Sequence, residues 1–225
     1  MEILYKSKNA VVIYKPAGIP SQKDPSGDPD AMTLTAASLK ESGESDALWL
    51  VHRLDRVVGG LLVFARNKRY AAIISEYVKD RLLTKEYYAV VDGIAEGEKT
   101  LEGYIYKDAR AGKAFMVDRE RAGTKHARLT YRALATVITP RGPKTLVYVM
   151  LDTGRFHQIR VQLSNEKLPI SGDGKYGSRD NGARNIALMA SHLAAELPNE
   201  KIDVFRMPDL SQYPWSLFDS DSYLM

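Results

Sequence analysis

The stretch 52–65 reads HRLDRVVGGLLVFA and decides the fold. It places one carboxylate, Asp55, between Arg53 and Arg56. The apolar run at 61–65 predicts a buried strand, which would hold the preceding loop and its acid rigidly. Nearby positive charge favours the ionised form of a carboxylic acid. An ionised, well-positioned carboxylate among cations suits attack on an anionic polymer.

The composition indicates a soluble globular protein. A length of 225 residues allows one large domain or two small ones, and a hydrophobic content of 44% allows a sizeable core. No apolar stretch approaches the length of a bilayer span, and the first residues lack the layout of a signal peptide. The absence of cysteine excludes disulfides, thiolate metal sites and cysteine nucleophiles. The net charge of +4 weakly favours nucleic acid as a binding partner.

The order of apolar patterns predicts an α+β fold, because strands and helices are interspersed without steady alternation. Strands are predicted at 11–14, 48–51, 61–65, 87–91 and 145–151, and late strands at 186–189 and 202–205. Helices are predicted at 33–42, 69–82 and 156–163. The region 101–135 alternates and is broken by two glycines, which predicts antiparallel hairpins. The tail from Met207 is predicted to be irregular.

Four segments together resemble the RluA family of RNA pseudouridine synthases. They are YKPAG at 14–18, the stretch 52–65, KEYYAV at 85–90, and TGRFHQIRV at 153–161, which continues to PISGD at 169–173 and YG at 176–177. The motifs H-R-L-D-R and T-G-R-x-H-Q-I-R are specific, and finding both in order argues against chance. The resemblance runs from about 12 to 177. It implies one catalytic domain over 1–225, with a mixed, largely antiparallel sheet, flanking helices and a central active-site cleft.

The resemblance also implies roles for individual residues. From the residues alone, Asp55 is a candidate nucleophile or base, or else a turn cap or ion-pair partner. By resemblance it is the catalytic aspartate, Arg160 is the arginine that pairs with it, and Tyr87 is the tyrosine that packs on the uracil. Taken alone, Arg160 would be a solvated helix charge and Tyr87 a core aromatic. Arg53 matches an arginine that helps displace the target base; a phosphate contact or a structural ion pair are its alternatives.

The implied activity isomerises uridines of ribosomal or transfer RNA to pseudouridine. This reaction breaks the bond from the base nitrogen to ribose, turns the uracil and rejoins it through carbon. The target base must leave its stack, at a cost of roughly a few kcal/mol. Asp55 could attack the sugar, attack the ring or take a ribose proton. The base is re-used, so one carboxylate suffices and no cofactor or metal is expected, whereas a glycosidase would need a second acid that the sequence does not offer.

A basic run between 107 and 132 has few acids in it and predicts a surface that follows RNA phosphates, with a solvated pair of hairpins as the alternative. The predicted RNA-binding residues are Arg53, Arg56, Lys113, Arg119, Arg121, Lys125, Arg128 and Arg155. The segment 171–175 lacks the spacing of a phosphate-binding loop, so no nucleotide site is predicted there.

Two departures from the family pattern stand out. Val57-Val58-Gly59 stand where the family commonly has a Thr-Ser stretch, and Gln22 stands where a histidine is frequent. Neither touches the predicted catalytic residues, so we expect activity to survive. We also expect no S4-type domain, a cytoplasmic location, a monomer, RNA as the partner and no membrane association. The alternative function is an RNA-binding or chaperone protein without essential catalysis.

Overall fold

The computed structural model describes residues 1–223, which contain eleven strands and three α-helices. In chain order these are β1 (Glu2–Lys6), β2 (Ala10–Lys15), α1 (Ala31–Glu41), β3 (Trp49–Leu50), β4 (Gly59–Ala65), α2 (Lys68–Lys79), β5 (Thr84–Asp92), β6 (Glu98–Asp108), β7 (Lys113–Val117), β8 (Thr124–Thr139), β9 (Gly142–Leu151), α3 (Gln158–Asn165), β10 (Leu188–Leu197) and β11 (Glu200–Phe205). The chain forms two compact units. The first joins Met1–Lys85 to Met189–Met207, and the second joins Glu86–Leu188 to the chain from Pro208 onward.

The strands of the first unit pair in the order β1-β2-β4-β10, with β3 also on β4 and β11 on β10. The ladder between β4 and β10 is parallel, and the others here are antiparallel. All seven residues of β4 are buried, which confirms the predicted buried strand. One face of this sheet packs Leu61 and Val63 against Ile74 of α2. The rigid strand begins four residues after Asp55.

Both helices of the first unit begin at a side-chain cap. The Asp30 carboxylate accepts a hydrogen bond from the Thr33 amide at 3.0 Å, and α1 begins at the next residue. The Asn67 side chain accepts from the Tyr70 amide at 2.9 Å in the same way and starts α2. Each cap satisfies an amide that the helix itself leaves without a partner.

The second glycine of the pair at the start of β4, Gly60, is required by its backbone conformation and by a close neighbouring strand. Its φ of +122° lies in a region that favours glycine, and a Cβ at this position would lie 2.2 Å from the carbonyl oxygen of Ala190. Ala190 is its partner in the parallel ladder with β10. A side chain at residue 60 would therefore separate the two strands immediately after the Asp55 loop.

The second unit contains a sheet in the order β5-β9-β8-β6-β7, and its ladders are antiparallel. The β6, β7 and β8 strands confirm the predicted hairpins. Tyr88 of β5 is buried and packs edge-on against Tyr148 and Tyr223, with both centroid distances at 5.1 Å. Against the other end of the sheet, Val161 of α3 joins a smaller cluster with Ile105 and other residues.

The α+β fold and the largely antiparallel sheets are confirmed, and the predicted helices and strands form with ends shifted by a few residues, except at β10. The pattern missed β1, and it missed most of β10, of which only the region around 186–189 was predicted. The tail from Met207 is irregular, as predicted, apart from short 3-10 turns at Trp215–Leu217 and Ser220–Tyr223. No helix in residues 1–223 is long and apolar enough to cross a membrane. The single catalytic domain and its cleft stay predictions.

Candidate active site

Asp55 lies on the loop between β3 and β4, and its backbone is fixed on both sides. Its carbonyl accepts from the Val58 amide at 3.0 Å, which closes a turn that leads into β4. The preceding Leu54 exchanges two hydrogen bonds with the buried Ser21 hydroxyl, which accepts from its amide at 3.1 Å and donates to its carbonyl at 2.9 Å. These contacts hold the half-buried Asp55 at a defined position in its unit.

Lys15 is a fully buried cation beside this loop. Its ammonium donates to the carbonyls of Ile19 at 2.7 Å and Pro16 at 3.1 Å, and reaches the carbonyl of Arg56 at 3.4 Å. The pKa of Lys15 is lowered to about 7: burial lowers it most, the Asp55 carboxylate raises it, and the Arg56 charge lowers it. Lys15 thus ties the 16–19 segment to the Asp55 loop and contributes positive electrostatic potential at Asp55.

The two arginines that flank Asp55 have different surroundings. Arg56 is used within the protein: its guanidinium donates to the Gly18 carbonyl at 2.9 Å and pairs with Asp28. The exposed Arg53 side chain, in contrast, makes no ion pair or hydrogen bond with the rest of residues 1–223. An unengaged cation next to Asp55 fits the predicted displacement of a base, whereas Arg56 braces the loop. The RNA-binding roles of both stay predictions.

His52 acts as an internal acceptor. Its Nε2 accepts the amide hydrogen of Val63 in β4 at 3.2 Å. Burial and, as a smaller contribution, the charge of Lys85 together lower the pKa of His52 to about 3. The ring is therefore neutral at physiological pH, as its acceptor role requires. His52 thus supports its motif as a hydrogen-bond acceptor rather than carrying protons.

Tyr87 and Tyr88 are neighbours on β5 and point to opposite faces, because side chains alternate along a strand. Tyr88 donates to the carbonyl of Tyr223 at 2.7 Å and lies in the core. Tyr87 is paired with Val149 in the ladder and is 6% exposed. Its ring therefore belongs to the face that Tyr88 does not fill.

Arg160 is buried in α3, so its interpretation as a solvated helix charge is wrong. Its Nε donates to Oδ2 of Asp173 at 2.7 Å, and its Nη2 donates to Oδ1 at 2.9 Å. The guanidinium also lies 4.9 Å from the ring centroid of Tyr176. This bidentate geometry fixes the guanidinium plane. Asp173 was missed by the sequence analysis, although the segment PISGD that contains it was part of the resemblance.

The loop before α3 is held by two side chains of the T-G-R-x-H-Q motif. The Thr153 hydroxyl donates to Oε1 of Gln158 at 2.8 Å, and the Arg155 amide donates to the same oxygen at 3.0 Å. The Gln158 amide group in turn donates to the carbonyl of Arg128 at 3.0 Å. The hydrogen bonds of the motif therefore connect α3 to β8, which accounts for Thr153 and Gln158 at this spacing.

His157 supports the same region from its left-handed position, with φ of 54°. Its Nδ1 lies 2.8 Å from the hydroxyl of Tyr176, which accepts the amide hydrogen of Ala114 at 2.8 Å. The Tyr176 hydroxyl therefore joins the start of α3 to β7. His157 thus serves as a scaffold for its motif.

The other predicted RNA-binding residues lie in the second unit. Arg119, Arg121 and Lys125 are exposed and form no ion pair within residues 1–223. Arg128 pairs with Asp152 at 3.2 Å, and Nε of Arg155 donates to the carbonyl of His126 at 2.7 Å. The first three are thus available to phosphates, while the other two also have structural partners.

Asp55 belongs to the first unit, and Tyr87 and Arg160 belong to the second. The structure shows how each is held in its own unit: Asp55 by a braced loop, Tyr87 by a strand, and Arg160 by Asp173. Their catalytic grouping stays a prediction.

The chain is similar to known RNA-modifying proteins. A family model described as RNA pseudouridylate synthase matches residues 9–165. Ribosomal large subunit pseudouridine synthase D of Borreliella burgdorferi is 30% identical over 202 residues, which cover 87% of this chain and 60% of that protein. An RNA pseudouridine synthase of Haemophilus influenzae is 29% identical over 213 residues, which cover 95% of this chain and 90% of that protein.

Solved structures agree with these matches. The human protein RNA Pseudouridylate Synthase Domain Containing 1 superposes with a TM-score of 0.75 at 26% identity, covering 93% of this chain and 83% of the human one. The chain spans only about half to two thirds of several curated relatives, such as 52% of RNA pseudouridine synthase 7 of Oryza sativa. The family model nevertheless covers well over half of this chain. The chain therefore belongs to the RNA pseudouridylate synthase family, as its RluA-type motifs predicted.

Proposed function

We propose that this protein isomerises uridine to pseudouridine in ribosomal or transfer RNA, with Asp55 as the catalytic carboxylate. The observation that carries the proposal is the braced loop of Asp55, within the region that matches the family model. Such a loop holds a carboxylate in one position before the substrate arrives. Preorganisation of this kind lowers the cost of reaching the transition state.

The reaction is balanced without an external reactant. The bond between ribose C1′ and uracil N1 breaks, the uracil rotates, a bond forms between C1′ and C5, and the C5 proton leaves while N1 gains one. Asp55 adds to the sugar, adds to the ring, or takes a ribose proton; each of the three routes uses an ionised carboxylate. Because the base is both the leaving group and the nucleophile, no second carboxylate is needed.

The remaining residues of the proposed site bind and orient. Arg160 brings a guanidinium that Asp173 holds in one plane, and it would stabilise the charge of Asp55. Tyr87 supplies a ring on which the rotating uracil packs. Arg53, exposed on the Asp55 loop, would fill the space that the flipped uridine leaves in the RNA stack. We further propose that the protein acts in the cytoplasm, which fits a chain without cysteine. We also propose that it is a monomer.

The test is tritium release from RNA whose uridines carry tritium at C5. Uridine and pseudouridine have equal mass, so the expelled hydrogen is a more direct signal than the mass of the product. Transfer RNA and ribosomal RNA from a strain that lacks the protein would be tested separately. Release from one pool is expected and identifies the substrate class. No release from either pool, or from partly assembled ribosomal particles, would contradict the proposed function.

A further inference from the structure

Two exposed aromatic side chains lie side by side on the hairpin of β6 and β7. Tyr106 of β6 is directly opposite Phe115 of β7 in the antiparallel ladder. The residues are 39% and 42% exposed. Directly opposite side chains on adjacent strands share one face of the sheet, with their Cβ atoms about 5 Å apart. The two rings therefore form one continuous apolar surface.

The exposure of this pair follows from the strand register. Ile105 and Ala114 precede Tyr106 and Phe115 in the chain and point to the opposite face, because side chains alternate along a strand. Both are buried in a cluster with Tyr176. One face of the hairpin thus packs on the core, and the other presents the aromatic pair outward.

The Tyr106 ring has limited freedom on this outward face. A Cβ placed at Gly123 would lie 3.7 Å from Cε2 of Tyr106, so the ring lies against the turn between β7 and β8. Tyr104 is on the same face, two residues away, and its ring meets His126 edge-on at 5.9 Å between centroids. A ring that is already positioned loses little entropy when a flat ligand stacks on it.

The charge around the pair is strongly positive. Residues 104–128 contain seven lysines and arginines and three acids, a net charge of +4 that equals the net charge of the whole chain. The Lys113 ammonium lies 5.7 Å from the Phe115 ring centroid. Within the described part of the chain, Arg110, in the turn between β6 and β7, forms no ion pair. Flat apolar rings among unpaired cations are complementary to a polyanion that carries flat bases.

We propose that Tyr106 and Phe115 form a stacking platform for an unpaired base of the substrate RNA, in addition to the uridine that is modified. Lys113, two residues before Phe115 on the same face of β7, contacts a phosphate beside that base. That the bound RNA is the enzyme's substrate rests on the proposed function. The stacking of a base on the two rings does not depend on it. Stacking on an aromatic ring tolerates any base and strengthens binding by about 5- to 150-fold per base.

The test compares two fluorescent oligomers of equal length: oligouridine, and an abasic ribose-phosphate chain that has the charge but no bases. Binding is measured by anisotropy for the wild type, for the double variant Tyr106→Ala/Phe115→Ala, and for the exchange Tyr106→Phe/Phe115→Tyr, which keeps both rings. Ile138→Ala is the matched control, because Ile138 is 76% exposed on β8 and lies outside the platform.

We expect the wild type, the exchange variant and Ile138→Ala to prefer oligouridine by about tenfold, the size of one stacked base. The double alanine variant should lose this preference and keep its affinity for the abasic chain. The proposal is overturned if the wild type shows no preference, or if the double variant retains the wild-type preference, as a protein-docking role for this face predicts. It is also overturned if the double variant loses affinity for both oligomers equally. Tritium release by the wild type is measured separately, so a failure of the proposed function remains distinct.

Discussion

Replacing Asp173 by asparagine tests whether the buried partner of Arg160 holds this arginine in place. The side chains of the pair are 6% and 1% exposed, and two hydrogen bonds of 2.7 and 2.9 Å join them. Removing one partner of a buried ion pair costs about 3–5 kcal/mol, because the remaining charge loses its compensation. Asparagine keeps one acceptor oxygen, so we expect Asp173→Asn to lower the free energy of unfolding by about 3 kcal/mol, the lower end of that range.

The matched control is Glu98→Gln, which breaks the ion pair between Glu98 and Arg132. The distance between their charged atoms is a similar 2.8 Å, but these side chains are 48% and 49% exposed. An exposed pair of this kind contributes less than about 1 kcal/mol. Urea unfolding followed by circular dichroism would compare the two variants. Equal shifts of the midpoint would refute the reasoning, since burial would then make no difference.

Three further variants test other parts of the structure. Gly60→Ala should prevent stable folding, since its Cβ would overlap the Ala190 carbonyl, whereas Gly27→Ala, with φ of +74° and open space around it, should cost only about 1–2 kcal/mol in urea unfolding. Folding lowers the pKa of Lys15 from its usual 10.5 to about 7. Above pH 7 the Lys15 amine is therefore protonated in the unfolded chain but neutral in the folded protein. Between pH 7 and 9 the free energy of unfolding of the wild type should therefore rise by up to about 1.4 kcal/mol per pH unit relative to that of Lys15→Met. Parallel plots of unfolding free energy against pH for the two proteins would contradict this. Arg53→Ala should change stability by less than about 0.5 kcal/mol but reduce tritium release, because the exposed side chain has no structural partner to lose; full activity would argue against its role in base displacement.

The sequence predicted best where a local pattern decides the structure. The run at 61–65 is apolar at every position, and a continuous apolar run of this length is typical of a strand that is buried on both faces. The helix of 68–79 followed from apolar residues at helical spacing, and its start at Asn67 is a local hydrogen bond. In β10, by contrast, Ser191, His192 and Glu196 interrupt the apolar pattern, and its pairing with β11 depends on contacts that local periodicity does not reveal.

The missed parts of the candidate site depend on tertiary contacts. Lys15 was recognised within its motif, but its burial could not be predicted, because lysine is almost never fully buried. Asp173 stands in a glycine-rich turn, where an aspartate usually has a local role. Its bond to Arg160 spans thirteen residues and exists only because α3 packs beside that turn. The family motif contained the signal, since the segment with Asp173 was part of the resemblance.

The central claim is that Asp55 performs chemistry on RNA rather than contributing to binding alone. The most direct measurement compares wild type and Asp55→Asn for tritium release from C5-labelled RNA and, in parallel, for affinity toward the same RNA. The account predicts that the variant releases no tritium while its affinity stays within a few-fold of wild type, because the substitution is isosteric and the loop contacts of Ser21 and Lys15 involve backbone atoms of neighbouring residues. Tritium release by Asp55→Asn at the wild-type rate would contradict the catalytic assignment.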